Sequence, residues 1–217
     1  MLAVIAAMQK EADVLLSLSR TDRHAKCFGK EICDCNYSGH DFRLILSGVG
    51  KTNAAAATML AIASGADKVL NFGVAGGLTP QTKIGTFWQI SRAVQYDFDL
   101  SKINGTQIGT LDEYQTPYFP LQTGGRFPTA TLATADSFAN GDDDMSLLKA
   151  LHADIRDMEG AAVAHISFAA GVPCYMFKSI SDNAGEESVC EYRENMQIAL
   201  SALQKKMPAI FDEVCNG

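Results

Sequence analysis

The chain has 217 residues, 47% of them hydrophobic and 20% charged, which is the balance of one globular domain able to bury its own core. A formal net charge of -7 argues against nucleic acid or an anionic membrane as the main partner and leaves a small neutral or cationic molecule compatible. The apolar opening lacks a basic lead and is cut short by Lys10 and Glu11, and no stretch reaches membrane-span length, so a cytoplasmic location is expected.

Taken in order, Leu2–Ala7 reads as a buried strand and Met8–Ser19 as the helix after it. Ile32–Tyr37 and Phe42–Leu46 read as a hairpin joined through Ser38-Gly39-His40. The glycine turn Ser47-Gly-Val-Gly-Lys51 leads into an alanine-rich helix, Thr52–Ser64, stopped by Gly65. Lys68–Phe72 is a second buried strand, ending at the turn Gly73-Val-Ala-Gly-Gly77, and Phe87–Val94 is a third. Asp97–Pro128 holds three of the six prolines and is expected to be a long functional loop. Thr129–Ala135 reads as a strand, Asp142–Leu151 and Gly160–Gly171 as helices, Cys174–Ser181 as a strand and Glu186–Val214 as mostly helix. Alternating strands and helices predict a single α/β domain over 1–217, with a mixed, largely parallel sheet covered on both faces.

Cys33-Asp-Cys35 has one intervening residue, too few for a zinc ribbon, and no histidine stands at a matching distance. The six cysteines read as reduced thiols, and neither a metal nor an organic cofactor is expected. Gly50-Lys51-Thr52 resembles the tail of a phosphate-cradling loop, but the preceding glycine is two positions back and a triphosphate site is discarded.

Open α/β sheets place their sites beyond the carboxyl ends of the strands, where the two glycine turns offer N–H groups and close approach to a ligand. Three carboxylates stand at such ends. Asp182 follows the apolar strand and suits a general acid, or an N-cap or turn residue. Glu159 opens a small-residue helix, where a first-turn charge favoured by the macrodipole is the competing reading, and Glu11 near the start of the first helix has the same alternative. The four histidines are scattered and form no triad.

Four blocks in order, Ala6-Ala-Met-Gln-Lys-Glu11, Ser47-Gly-Val-Gly-Lys51, Asn71-Phe-Gly-Val-Ala-Gly-Gly-Leu78, and Asp157-Met-Glu-Gly160 with Ser179-Ile-Ser-Asp182, resemble the nucleoside phosphorylase/nucleosidase superfamily. The similarity is greatest to the methylthioadenosine/S-adenosylhomocysteine nucleosidases and spans nearly the whole chain. It implies a three-layer α/β/α fold and hydrolysis of a purine nucleoside, with Asp182 as the acid at N7, Ser181 positioning it and Glu11 activating water. Glu159 would hold the ribose hydroxyl, with Met158 packed on the ribose. Phe138 would stack on the base and the backbone of Ala139 read its edge. Met8 and Val49 would line the sugar and 5′ pocket, with Ala75 and Gly76 of the third block beside the ligand. Two positions depart from the resemblance: Val74 replaces a serine and Lys178 an arginine that contact or support the attacking water. Without a cation or hydroxyl at Asn71 and Val74, a phosphate dianion would be poorly stabilised, so water is the expected nucleophile. The resemblance also implies a homodimer whose partner completes the 5′ pocket, and Tyr114, Tyr118 and Phe119 make 97–128 apolar enough to contribute. A phosphorylase, a futalosine-type nucleosidase and a catalytically inactive ligand-binding member are the alternatives.

Overall fold

The computed structural model describes residues 1–138, 144–183 and 188–216. The chain forms β1 (Leu2–Ala6), α1 (Gln9–Leu16), β2 (Arg20–Cys27), β3 (Lys30–Tyr37), β4 (His40–Leu46), α2 (Lys51–Ala63), β5 (Lys68–Gly77) and β6 (Phe87–Gln95). It continues through α3 (Ser101–Asn104), β7 (Tyr118–Pro120), β8 (Thr129–Thr134), α4 (Met145–Ala150), β9 (Ile155–Asp157), α5 (Gly160–Ala169), β10 (Cys174–Asp182) and α6 (Ser188–Asn216).

β1 lies between β4 and β5, parallel to both, and β3 and β2 extend that edge as antiparallel strands. On the other side the strands close on themselves. β5 pairs with β10, β10 with β6, β6 with β8, β8 with β9, and β9 returns to the end of β5. The sheet is therefore mixed, and closure removes the edge that β5 would otherwise present. Alternate residues of β1 enter different cores, as strand geometry requires. Leu2 and Val4 pack with α1 and α6, Ala3 and Ile5 with α2 and α5, giving helix, sheet and helix layers. Ala54, Ala57 and Ala61 on α2 and Ala161 and Ala164 on α5 are fully or almost fully buried in the second of these cores.

Three features differ from the sequence expectation. β2 reads Arg-Thr-Asp-Arg-His-Ala-Lys-Cys, with no apolar alternation, because it is an exposed edge strand whose charges guard it against further pairing. The segment 73–77 is not a turn: β5 runs through its glycines, held by β10 on one side and by β9 near its end. The long segment 97–128 contains α3 and β7, and Phe119 is buried against Tyr114, His165 and Phe168 of its own chain. No helix among the described residues is long and apolar enough to cross a membrane.

Candidate active site

Beyond the carboxyl ends of β1, β5, β9 and β10 lies a cavity of about 250 Å³. Met8 and Glu11 enter it from the β1–α1 junction, Val49 from the turn before α2, and Val74, Ala75 and Gly76 from β5. Phe138, Met158, Glu159, Ser181 and Asp182, also expected from the sequence, line it too, while Arg156, Asp157 and Tyr192 do so without having been singled out. Ala139 lies outside the described residues.

Glu11 and Glu159 are each held by a contact distant in sequence. Glu11 closes the first turn of α1, its Oε2 accepting the Met8 N–H at 3.0 Å, so the helix-start reading was half of the matter. Its Oε1 accepts the Val74 N–H at 2.8 Å, 63 residues away. Burial raises the Glu11 pKa, while the charge of Lys178 and these two backbone donors oppose the rise. Gly73 makes this approach possible, because a Cβ there would overlap Glu11 Oε1. The glycine thus admits a side chain of the protein itself, where the sequence pattern pointed to a ligand.

Glu159 occupies the N-cap of α5 yet makes no cap hydrogen bond with its side chain. Asp157 does the capping, accepting the Gly160 N–H at 2.9 Å and the Glu159 N–H at 3.3 Å. Glu159 is free to reach across the cavity, where its Oε1 accepts the Gly50 N–H at 2.8 Å. Gly50 has φ +97, which favours glycine at that turn. Burial first, and the Asp157 charge second, push Glu159 up to about 8. Asp182 ends β10 and is 4% exposed; its Oδ2 accepts the Ser181 hydroxyl at 2.9 Å. Tyr192 of α6 donates to Met8 Sδ at 3.3 Å and meets the Phe138 ring edge-on at 5.2 Å. Its phenol is pushed up to about 12 by burial and then by the charges of Glu11, Asp182 and Glu159. One hydroxyl feels all three carboxylates.

Lys178 is placed differently from the expectation. It does not line the cavity but lies buried beneath it, its Nζ 2.8 Å from Asp157 Oδ2. The physical reason is the buried Asp157, whose oxygens also accept the Thr134 hydroxyl and the α5 N-terminus. Lys178 therefore acts on Glu11 and Glu159 through space, drawing both back toward ionisation. Asp157 was visible in the sequence only as part of a motif. Tyr192 carried no signal, being one aromatic on a long amphipathic helix.

A cavity at this position, lined by four carboxylates on a closed mixed sheet, is that of an α/β enzyme, and the chain belongs to the phosphorylase superfamily, whose family model matches residues 1–212. Among its relatives, 5′-methylthioadenosine/S-adenosylhomocysteine nucleosidase of Marinomonas sp. (strain MWYL1) is 28% identical, with 91% of this chain and 92% of the relative covered. Aminodeoxyfutalosine nucleosidase of Campylobacter jejuni is 26% identical, with 89% and 90% covered. The solved structure of futalosine hydrolase from Helicobacter pylori superposes with a TM-score of 0.90 at 25% identity, covering 98% of this chain and 97% of that one.

Proposed function

We propose that this chain hydrolyses the N-glycosidic bond of a purine nucleoside and releases the base, with 5′-methylthioadenosine and S-adenosylhomocysteine as the first substrates to consider. The observation that carries the proposal is the convergence of Glu11, Glu159 and Asp182 on one small, largely apolar cavity. Cleavage of such a bond needs a proton for the departing base, stabilisation of a cationic sugar, and a nucleophile. Asp182 donates to N7, and the Ser181 hydroxyl, held on its Oδ2, positions the carboxyl. Glu159 holds the ribose hydroxyls, and positive charge developing on the sugar favours its ionised form. Met158 packs on the ribose, and Phe138 stacks on the base. Glu11 orients and deprotonates water; each of its oxygens accepts one backbone N–H and keeps a lone pair for this.

Water suits the cavity better than phosphate. The four carboxylates of the cavity repel a dianion, Val74 offers no hydroxyl, and the Asn71 amide is committed to the Ile5 carbonyl at 3.0 Å. Lys178, whose charge bears on Glu11, is paired with Asp157 at 2.8 Å. A futalosine-type 5′ group is the second reading, supported by relatives of that activity at comparable similarity.

A homodimer and a cytoplasmic location belong to the same proposal. Support for the dimer comes from exposed apolar side chains, Met59 on α2, Phe168 on α5 and Ile103 on α3, the last 81% exposed. Of the aromatics of 97–128, Phe119 does not supply it, being buried within the chain, whereas Tyr114 and Tyr118 are partly exposed. Light scattering at assay concentration should give twice the chain mass; a fully active monomer would refute the dimer. Chromatographic assay of base release from a panel of nucleosides differing in the 5′ substituent tests the activity. Release from the 5′-thio nucleosides is expected, and none from any purine nucleoside would sink the proposal.

A further inference from the structure

The N-termini of α2 and α5 meet at the cavity, and the end of one strand ties them together. Glu159, at the start of α5, accepts the Gly50 N–H at the start of α2 over 2.8 Å. The residues that end β8 supply the second tie. Thr134 Oγ1 donates to Asp157 Oδ1 at 2.6 Å and accepts the Ala161 N–H at 2.9 Å, which fixes β8 to α5. Two residues further on, Asp136 Oδ1 accepts the Lys51 N–H at 2.7 Å, which fixes the same strand to α2. The hydrogen bonds thus close a loop that runs from Gly50 through Glu159, Thr134 and Asp136 back to Lys51.

Asp136 is the member of this loop that the mechanism above leaves unused. It stands at the surface and does not line the cavity, so it acts on the chemistry through its neighbours. Asp97 holds it in place: Oδ2 of Asp97 accepts the Asp136 N–H at 3.1 Å, and Oδ1 takes the Lys51 ammonium at 2.5 Å. Gly50 has no side chain with which to cap α2, and its φ of +97 is one that glycine reaches at an entropic cost. A carboxylate on the next N–H takes up one of the free donors of the helix start and suits its positive end. Asp136 Oδ1 stands so near that a Cβ on Gly50 would lie 3.1 Å from it.

We propose that Asp136 is a positioning residue: by holding the Lys51 N–H it fixes Gly50, and through Gly50 it fixes the carboxylate that takes the ribose hydroxyls. The inference rests on the nucleosidase reading for the role of Glu159 and adds the residue that sets Glu159 in place. Without Asp136 the tie from β8 to α2 is lost, Gly50 shifts within its turn, and Glu159 loses a fixed donor. A misplacement of about 1 Å at a reacting centre costs about a hundredfold in rate. Asp136 is exposed and water replaces part of what it supplies, so a loss of roughly tenfold is expected.

The experiment compares Asp136→Ala and Asp136→Asn with the wild type on the best ribonucleoside of the panel and on its 2′,3′-dideoxy analogue, which offers Glu159 no hydroxyl. Alanine should lower kcat/KM for the ribonucleoside about tenfold and change that for the analogue by less than about twofold. Asparagine keeps an oxygen for the Lys51 N–H and should restore most of the loss. Amide exchange followed by NMR reads the geometry without turnover. The Gly50 amide should exchange faster in Asp136→Ala, while the Val74 amide, which donates to Glu11, should not change. Equal losses on the two nucleosides, an asparagine variant no better than alanine, or an unmoved Gly50 amide would overturn the assignment. Should the alanine variant not fold, Asp136→Ser, whose hydroxyl stops one bond short of the Lys51 N–H, takes its place. If the wild type cleaves no purine nucleoside, the nucleosidase reading fails, and a faster Gly50 amide still upholds Asp136 as the residue that holds Glu159 in place.

Discussion

Glu159→Gln separates the stability of this protein from its chemistry. The glutamine keeps an oxygen to accept the Gly50 N–H but cannot ionise. In the folded protein the Glu159 carboxyl titrates at about 8, against 4.5 for an ordinary glutamate. Because the folded pKa is the higher, the folded state holds a proton that the unfolded chain has released between those values. The Glu159 contribution to stability is therefore complete below pH 4.5 and is lost as pH rises to about 8. At about 1.4 kcal/mol per unit the ceiling is about 5 kcal/mol, and water entering the cavity to solvate the ionised carboxylate lowers the expected figure to about 2–3 kcal/mol. Urea unfolding of both proteins at pH 5, 6, 7 and 8 reads this directly. The variant should match the wild type near pH 5 and become the more stable by pH 8, while its turnover falls steeply. Parallel stability curves, or a wild type gaining on the variant with rising pH, would refute the reasoning.

Lys178→Met should cost about 3–5 kcal/mol in urea unfolding, because it leaves the buried Asp157 without its cation, and Lys178→Arg should cost less. Equal losses for the two variants would show that charge is not what matters there. The same Lys178→Met change removes the charge that draws Glu11 toward ionisation, so the acid limb of the kcat profile should move to higher pH; an unmoved limb removes Glu11 as the base. Gly73→Ala should cut kcat at least tenfold by pushing Glu11 off the Val74 N–H, with near-normal activity counting against that contact. Exhaustive chelation should leave turnover unchanged; activity lost and restored by a divalent ion would show a metal requirement.

The alternation of apolar runs and helical segments made most of the layered fold legible, since each buried strand and each helix stop leaves a local mark. β2 and β9 left none: the first is a charged edge, and the second is three residues long and held by neighbours on both sides. The glycine-rich end of β5 read as a turn because glycine disfavours strands locally, whereas here tertiary contact demands it, at Gly73 for Glu11 and at Gly77 against Thr82. For the site, a carboxylate at a strand end pointed equally to capping and to catalysis. Only the three-dimensional arrangement separates the two, giving Asp157 the cap of α5 and releasing Glu159 into the cavity. Arg156 stayed hidden because nothing local marks a guanidinium as buried in a cavity wall.

Product analysis with and without phosphate, on the wild type and Asp182→Asn, tests the central claim most directly. The account predicts equimolar free purine and free 5-methylthioribose at a rate indifferent to phosphate, with kcat at least a hundredfold lower in Asp182→Asn, the range a general acid supplies, and ligand affinity largely kept. A sugar 1-phosphate formed only when phosphate is present, or an Asp182→Asn protein that turns over like the wild type, would contradict it.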